Sequence, residues 1–135
     1  MESFSFTPNI LCIPFCRFTK DSLWVLGHSL GGVVTSLFAE SWTGDLPISV
    51  HSIAAPLTGM KRFKDNHCIG TEKETYTVRD QINYTQWKTI KEQDGAFKRL
   101  EFDPQNVLIK GGKVITLPAM SVSYTHLTLP TICSV

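Results

Sequence analysis

A chain of 135 residues, with 42% hydrophobic and 19% charged residues, is long enough to bury one core and too short for a second domain. Its 13 basic and 12 acidic side chains leave a formal charge of +1, which gives no electrostatic footing for nucleic acid or an anionic membrane surface. No apolar run approaches a membrane span, and no basic segment leads an apolar stretch at the start, so neither a transmembrane helix nor a signal peptide is read.

In chain order, residues 1–20 show no clear period. Ile10 to Ile13 could form a short strand, stopped by Pro14. Leu23 to Leu26 read as a parallel strand buried on both faces. Leu30, Val33, Val34, Leu37, Phe38 and Trp42 recur at helical spacing and predict a helix with one buried stripe, stopped by Gly44 and Pro47. Ile48 to Ala55 read as the next strand, so strand, helix and strand imply a right-handed parallel crossover. Residues 60–81 are polar and irregular, which fits a solvated excursion or part of a cap. Ile82 to Ile90 is rich in β-formers and predicts a strand. Lys91 to Gly95 is a polar turn, Ala96 to Phe102 is ambiguous, and Asp103 to Asn106 is a turn. Val107 to Ile109 and Val114 to Leu117, around Gly111-Gly112, predict a final hairpin or strand.

The junction between the first strand and the helix carries the chemistry. Gly27-His28-Ser29-Leu30-Gly31 is Gly-x-Ser-x-Gly, followed by a further glycine, Gly32. A sharp strand-to-helix turn of this kind presents a serine oxygen at the edge of a sheet. Gly27 and Gly31 flank Ser29 where a Cβ is expected to clash as the backbone doubles back. Ser29 would precede a helix N-terminus, where unpaired N–H groups favour developing negative charge. The Leu30 N–H is the natural first donor of an oxyanion hole. The plain alternative is a Gly-rich turn with a capping serine.

The segment from Ser22 through Glu40 resembles the nucleophile elbow of α/β-hydrolase lipases and esterases, in which Gly-His-Ser-Leu-Gly-Gly is a common form. Pro56-Leu57-Thr58-Gly59 is similar to the Pro-x-x-Gly turn of many lipases, with Leu57 where a histidine usually stands. The resemblance implies an α/β fold, here a partial α/β-hydrolase parallel sheet, and acyl transfer from a small-molecule ester or lipid. It implies no metal or organic cofactor. Cys12 and Cys16 have no matching pair downstream, so with Cys68 and Cys133 they read as free thiols rather than a zinc site.

A serine nucleophile needs a base, and the base needs an acid to fix its tautomer. The resemblance implies the order serine, acid, histidine. Asp94, in a turn after a strand and before Gly95, is the best acid candidate; Asp103 is second, and Asp80 and Asp45 rank lower. His28 is the variable residue of the elbow, with its side chain turned from the site. His51 falls within a strand and out of order, and His67 precedes Asp94. The expected base follows a strand such as Val114 to Leu117, and a second oxyanion donor is expected from an early strand–loop.

His126 has the right order, but Val122 to Thr131 resembles no family. Back-translated as GTC TCT TAT ACA CAT CTG ACG CTG CCG ACG, it matches a transposase-type sequencing-library adapter codon for codon. His126 is therefore not taken as catalytic. The expected organisation is an N-terminal segment 1–21, a partial hydrolase domain 22–120, and an adapter-derived tail 121–135. On this reading the intact parent is a serine esterase or lipase, while the 135-residue chain is inactive or nearly so and marginally stable. The competing readings are a non-catalytic α/β-hydrolase relative that binds a ligand or partner, and a non-functional fragment.

Overall fold

The computed structural model describes residues 15–18, 21–59 and 73–118. The segment Ile10 to Ile13, the residues Cys12, His67, Cys68, His126 and Cys133, and the tail 121–135 lie outside the described residues.

Five strands form one sheet in the order β1-β2-β3-β5-β7. They are β1 (Phe15–Phe18), β2 (Leu23–His28), β3 (Ile48–Ile53), β5 (Ile82–Lys88) and β7 (Lys113–Thr116). Strand β1 runs antiparallel to β2; β2, β3, β5 and β7 run parallel to one another. One helix, α1 (Leu30–Ser41), links β2 to β3 as a parallel crossover. A second, two-stranded parallel sheet pairs β4 (Thr75–Thr77) with β6 (Leu108–Lys110). This is the α/β arrangement, a mostly parallel sheet with a helix, that the sequence predicts.

Alternation along the strands sets the faces. Leu23, Val25, Ile48, Val50, Ile82 and Tyr84 share one face by register and are all buried. Helix α1 packs there, with Val33 and Ala39 fully inaccessible. The expected helix stripe is displaced in part. The deepest positions include Gly32, Thr35 and Ser36, while Leu30, Leu37, Phe38 and Trp42 pack around the core's margin. Small residues on the contact line let the helix sit close to the sheet. Thr35 and Ser36 meet their polar needs locally, since both hydroxyls donate to Gly32 O, at 3.0 and 2.7 Å.

Three further expectations are corrected. Strand β2 is buried on one face only: Trp24, on the opposite face, is 46% exposed. The segment 107–117 is not a hairpin, because β6 joins the small sheet while β7 runs parallel to β5. Gly111, at φ +84°, makes that switch; a Cβ there would lie 2.4 Å from Val78 O. The end of the polar excursion holds β4, whose Tyr76 is buried and donates its hydroxyl to Leu57 O at 2.8 Å. Leu57 belongs to the core cluster, which accounts for an apolar side chain at that position of the turn.

Candidate active site

Because β2, β3, β5 and β7 are parallel, their carboxyl ends open onto one edge of the sheet. Ligand sites of open α/β sheets form at that edge. Ser29 emerges there from β2, Ala54 from β3, Thr89 to Asp94 from β5, and Leu117 from β7. Hydrogen bonds carry the ladder past the strands: Ser29 N–H to Ile53 O at 2.9 Å, Ala54 N–H to Trp87 O at 2.9 Å, and Leu117 N–H to Lys88 O at 2.7 Å.

Ser29 is the residue between β2 and α1, and its backbone is strained, with φ 54° and ψ −121°. A non-glycine residue in this region costs on the order of 1–3 kcal/mol and persists only where its surroundings hold it. Here they do. The N–H is fixed to β3, and Ser29 O accepts from Gly32 N–H at 3.0 Å, which closes the first turn. By helix geometry the Leu30 N–H, at the first helical position, has no intrahelical acceptor.

The glycines divide their work differently from the expectation. A Cβ on Gly27 would lie 2.2 Å from Gly31 O and 2.7 Å from Gly32 N. On Gly32 it would lie 2.5 Å from Ala55 Cβ and 2.8 Å from Ser52 Oγ. On Gly31 it would meet nothing within 4 Å. The close approach is therefore between Gly27 and the 31–32 peptide, and between Gly32 and β3; Gly31 contributes its backbone only.

Asp94 follows a short 3₁₀ turn (Lys91–Gln93) after β5 and is fully buried. Its carboxylate accepts from Thr89 Oγ1 at 2.6 Å and from Ala96 N–H at 2.9 Å. Asp103 is committed elsewhere: Oδ1 accepts from Gln105 N–H at 3.0 Å, and Oδ2 lies 3.5 Å from Lys88 Nζ. Asp45 and Asp80 are exposed loop residues. Asp94 and Ser29 thus share one edge, while Asp103 braces a loop.

Among the described histidines, His28 precedes Ser29 on the face away from α1, by the alternation of β2. His51 sits on that same face, within β3, and not at the carboxyl edge. Its Nδ1 accepts from Trp87 Nε1–H at 3.1 Å, and its ring stacks on Trp24 at 5.5 Å. Burial holds its pKa below the ordinary value of 6.5. Sequence reasoning missed Thr89 and Gln105, the buried partners of the Asp94 loop. The polar turn composition around them carries no signal of burial.

The described residues contain no group of three His, Cys, Asp or Glu arranged to hold a metal ion, and no helix long and apolar enough to cross a membrane. A strand, a strained serine and a helix, set in a mostly parallel sheet, fit a lipase-like protein of the α/β-hydrolase class. The model of the class 3 lipase family matches residues 16–91, more than half of the chain, and the chain belongs to that family. Ser29 lies inside the matched span and Asp94 just beyond it. No curated protein and no solved structure matches the chain.

Proposed function

We propose that Ser29 is the nucleophile of a carboxylic-ester or lipid acyl hydrolase, with Asp94 as the acid and the Leu30 N–H as one oxyanion donor. The observation that carries this is the strained φ of Ser29 between β2 and α1. Ser29 stands at the N-cap of α1 and its side chain makes no capping hydrogen bond, which leaves the hydroxyl uncommitted beside a helix N-terminus. Ser29 Oγ bonds to the ester carbonyl carbon as its proton passes to a base. The tetrahedral oxyanion faces the Leu30 N–H. The ester C–O bond then breaks, the alcohol leaves with the proton, and water releases the acyl group by the reverse sequence. Asp94, on the loop that follows β5 at the same edge, orients the base. That base comes from outside the described residues, after β7. No organic cofactor enters these steps.

The test is labelling of the 135-residue chain by a fluorophosphonate probe, with and without added imidazole as an external base. Labelling at Ser29 is expected to be slow alone, faster with imidazole, and lost in Ser29→Ala. If Ser29→Ala labels as wild type does under both conditions, a non-catalytic binding role replaces this reading.

A further inference from the structure

We infer that Thr89 is a positioning residue for Asp94 and that Gln105 is the clamp that holds it; this rests on the reading of Asp94 as the acid. Strand β5 ends at Lys88, and the next residue has a backbone N–H and C=O that no strand pairs. The side-chain amide of Gln105 takes both: Oε1 accepts from Thr89 N–H at 2.8 Å, and Nε2 donates to Thr89 O at 3.1 Å. One side chain stands in for a neighbouring strand. It is itself fixed, since Nε2 also donates to Asp103 Oδ1 at 3.2 Å, and Gln105 O accepts from Gln86 Nε2 at 2.7 Å. Thr89, Asp94 and Gln105 are all 2% exposed or less. A broken bond in this group leaves a buried polar atom unpaired.

The Thr89 hydroxyl has one proton and two acceptors in reach, Asp94 Oδ2 at 2.6 Å and Gln105 Oε1 at 3.2 Å. The shorter contact goes to a carboxylate, and Gln105 Oε1 already receives the Thr89 N–H. The proton therefore belongs to Asp94. Oδ1 is held by Ala96 N–H, so each carboxylate oxygen has a fixed donor and the plane of the group is set. Thr89 touches no reacting atom; it acts through Asp94.

The test compares Thr89→Val, which keeps the shape and removes the hydroxyl, with Thr89→Ser, which keeps the hydroxyl and removes a methyl. A packing role makes Ser the worse variant. A positioning role makes Val the worse one. The readout is imidazole-dependent fluorophosphonate labelling of Ser29 in the 135-residue chain, with urea midpoints measured alongside. We expect Thr89→Ser to label at nearly the wild-type rate and Thr89→Val to label roughly tenfold more slowly, as a misaimed orienting group would. In an Asp94→Asn background the Thr89→Val effect should vanish, because the two act as a unit. Gln105→Leu should behave as Thr89→Val does, and should also speed hydrogen exchange at the Ala96 amide while leaving the Val50 amide unchanged. Thr89→Val slowing labelling equally with and without Asp94 overturns the positioning role and spares the reading of Asp94. Asp94→Asn labelling as fast as wild type overturns both.

Discussion

Ser52 Oγ on β3 donates to Gly32 O on α1 at 3.1 Å, and it also fills the space that a side chain on Gly32 would need. Sheet and helix touch here through a hydroxyl and a bare backbone. That contact sets how close the helix N-terminus, and with it Ser29, sits to the carboxyl edge. A methyl at Gly32 must displace Ala55 Cβ, which is itself fully buried. Gly32→Ala and Gly27→Ala are each expected to lose about 3 kcal/mol or to fail to fold, since the obstacles are backbone or packed core. Gly31→Ala has room and gains helix propensity, so it should be neutral or more stable by up to about 1 kcal/mol. Urea midpoints for the three variants check this; equal losses at Gly31 and Gly32 would contradict it.

Strain at Ser29 gives a prediction that needs no substrate. Ser29→Ala keeps a Cβ and so keeps the φ of 54° unfavourable. Ser29→Gly relieves it. The glycine variant should be the more stable of the two by about 1 kcal/mol, a net figure after the added chain entropy of glycine is set against the strain. Thermal or urea melts of the pair decide it. A glycine variant less stable than the alanine variant would mean that the turn carries no strain.

Tyr84 reaches across the core to the helix. Its hydroxyl lies 2.7 Å from Ser36 Oγ. Since Ser36 Oγ already donates to Gly32 O, the tyrosine is the donor. Burial raises the phenol pKa from its ordinary 10.0, so it stays protonated and able to donate. Tyr84→Phe should lose about 1 kcal/mol, the net worth of one buried hydrogen bond. Ser36 keeps its bond to Gly32, so the loss should not reach the several kcal/mol of a cavity.

What could be read from the sequence was what depends on near neighbours. The strand–helix–strand unit from Leu23 to Ile53 shows as an apolar run, a helical period and a second run, and each pattern is complete within about a dozen residues. Strand β4 could not be read in the same way. It is three residues, only Tyr76 of which is buried, and its partner β6 lies far along the chain. Gly111-Gly112 looks like a hairpin turn in sequence, but the register puts β6 and β7 in different sheets. Among the elbow glycines, symmetric spacing about Ser29 pointed to Gly31. The helix has already begun there, and its rotation points that position into open space and turns the next one onto β3. Asp94 was legible as a carboxylate in a turn after a strand. Its supports were not, because Thr89 and Gln105 are polar residues buried only through long-range contact.

His51 ties β3 to β5 on the face away from α1, and it does so only while neutral. Nδ1 needs its lone pair to accept the Trp87 indole N–H. Burial lowers the folded-state pKa below 6.5, so as pH falls the unfolded chain takes up the proton first. Stability is then constant above the unfolded value, and it falls as pH drops through about 6.5 toward the folded value. Urea midpoints between about pH 8 and pH 5 should show this slope, and His51→Gln should flatten it while keeping an uncharged acceptor within reach of Trp87. Tryptophan emission followed over the same range should shift with the slope in wild type, since both Trp24 and Trp87 contact the imidazole. A slope unchanged by His51→Gln would assign the acid sensitivity to the carboxylates instead.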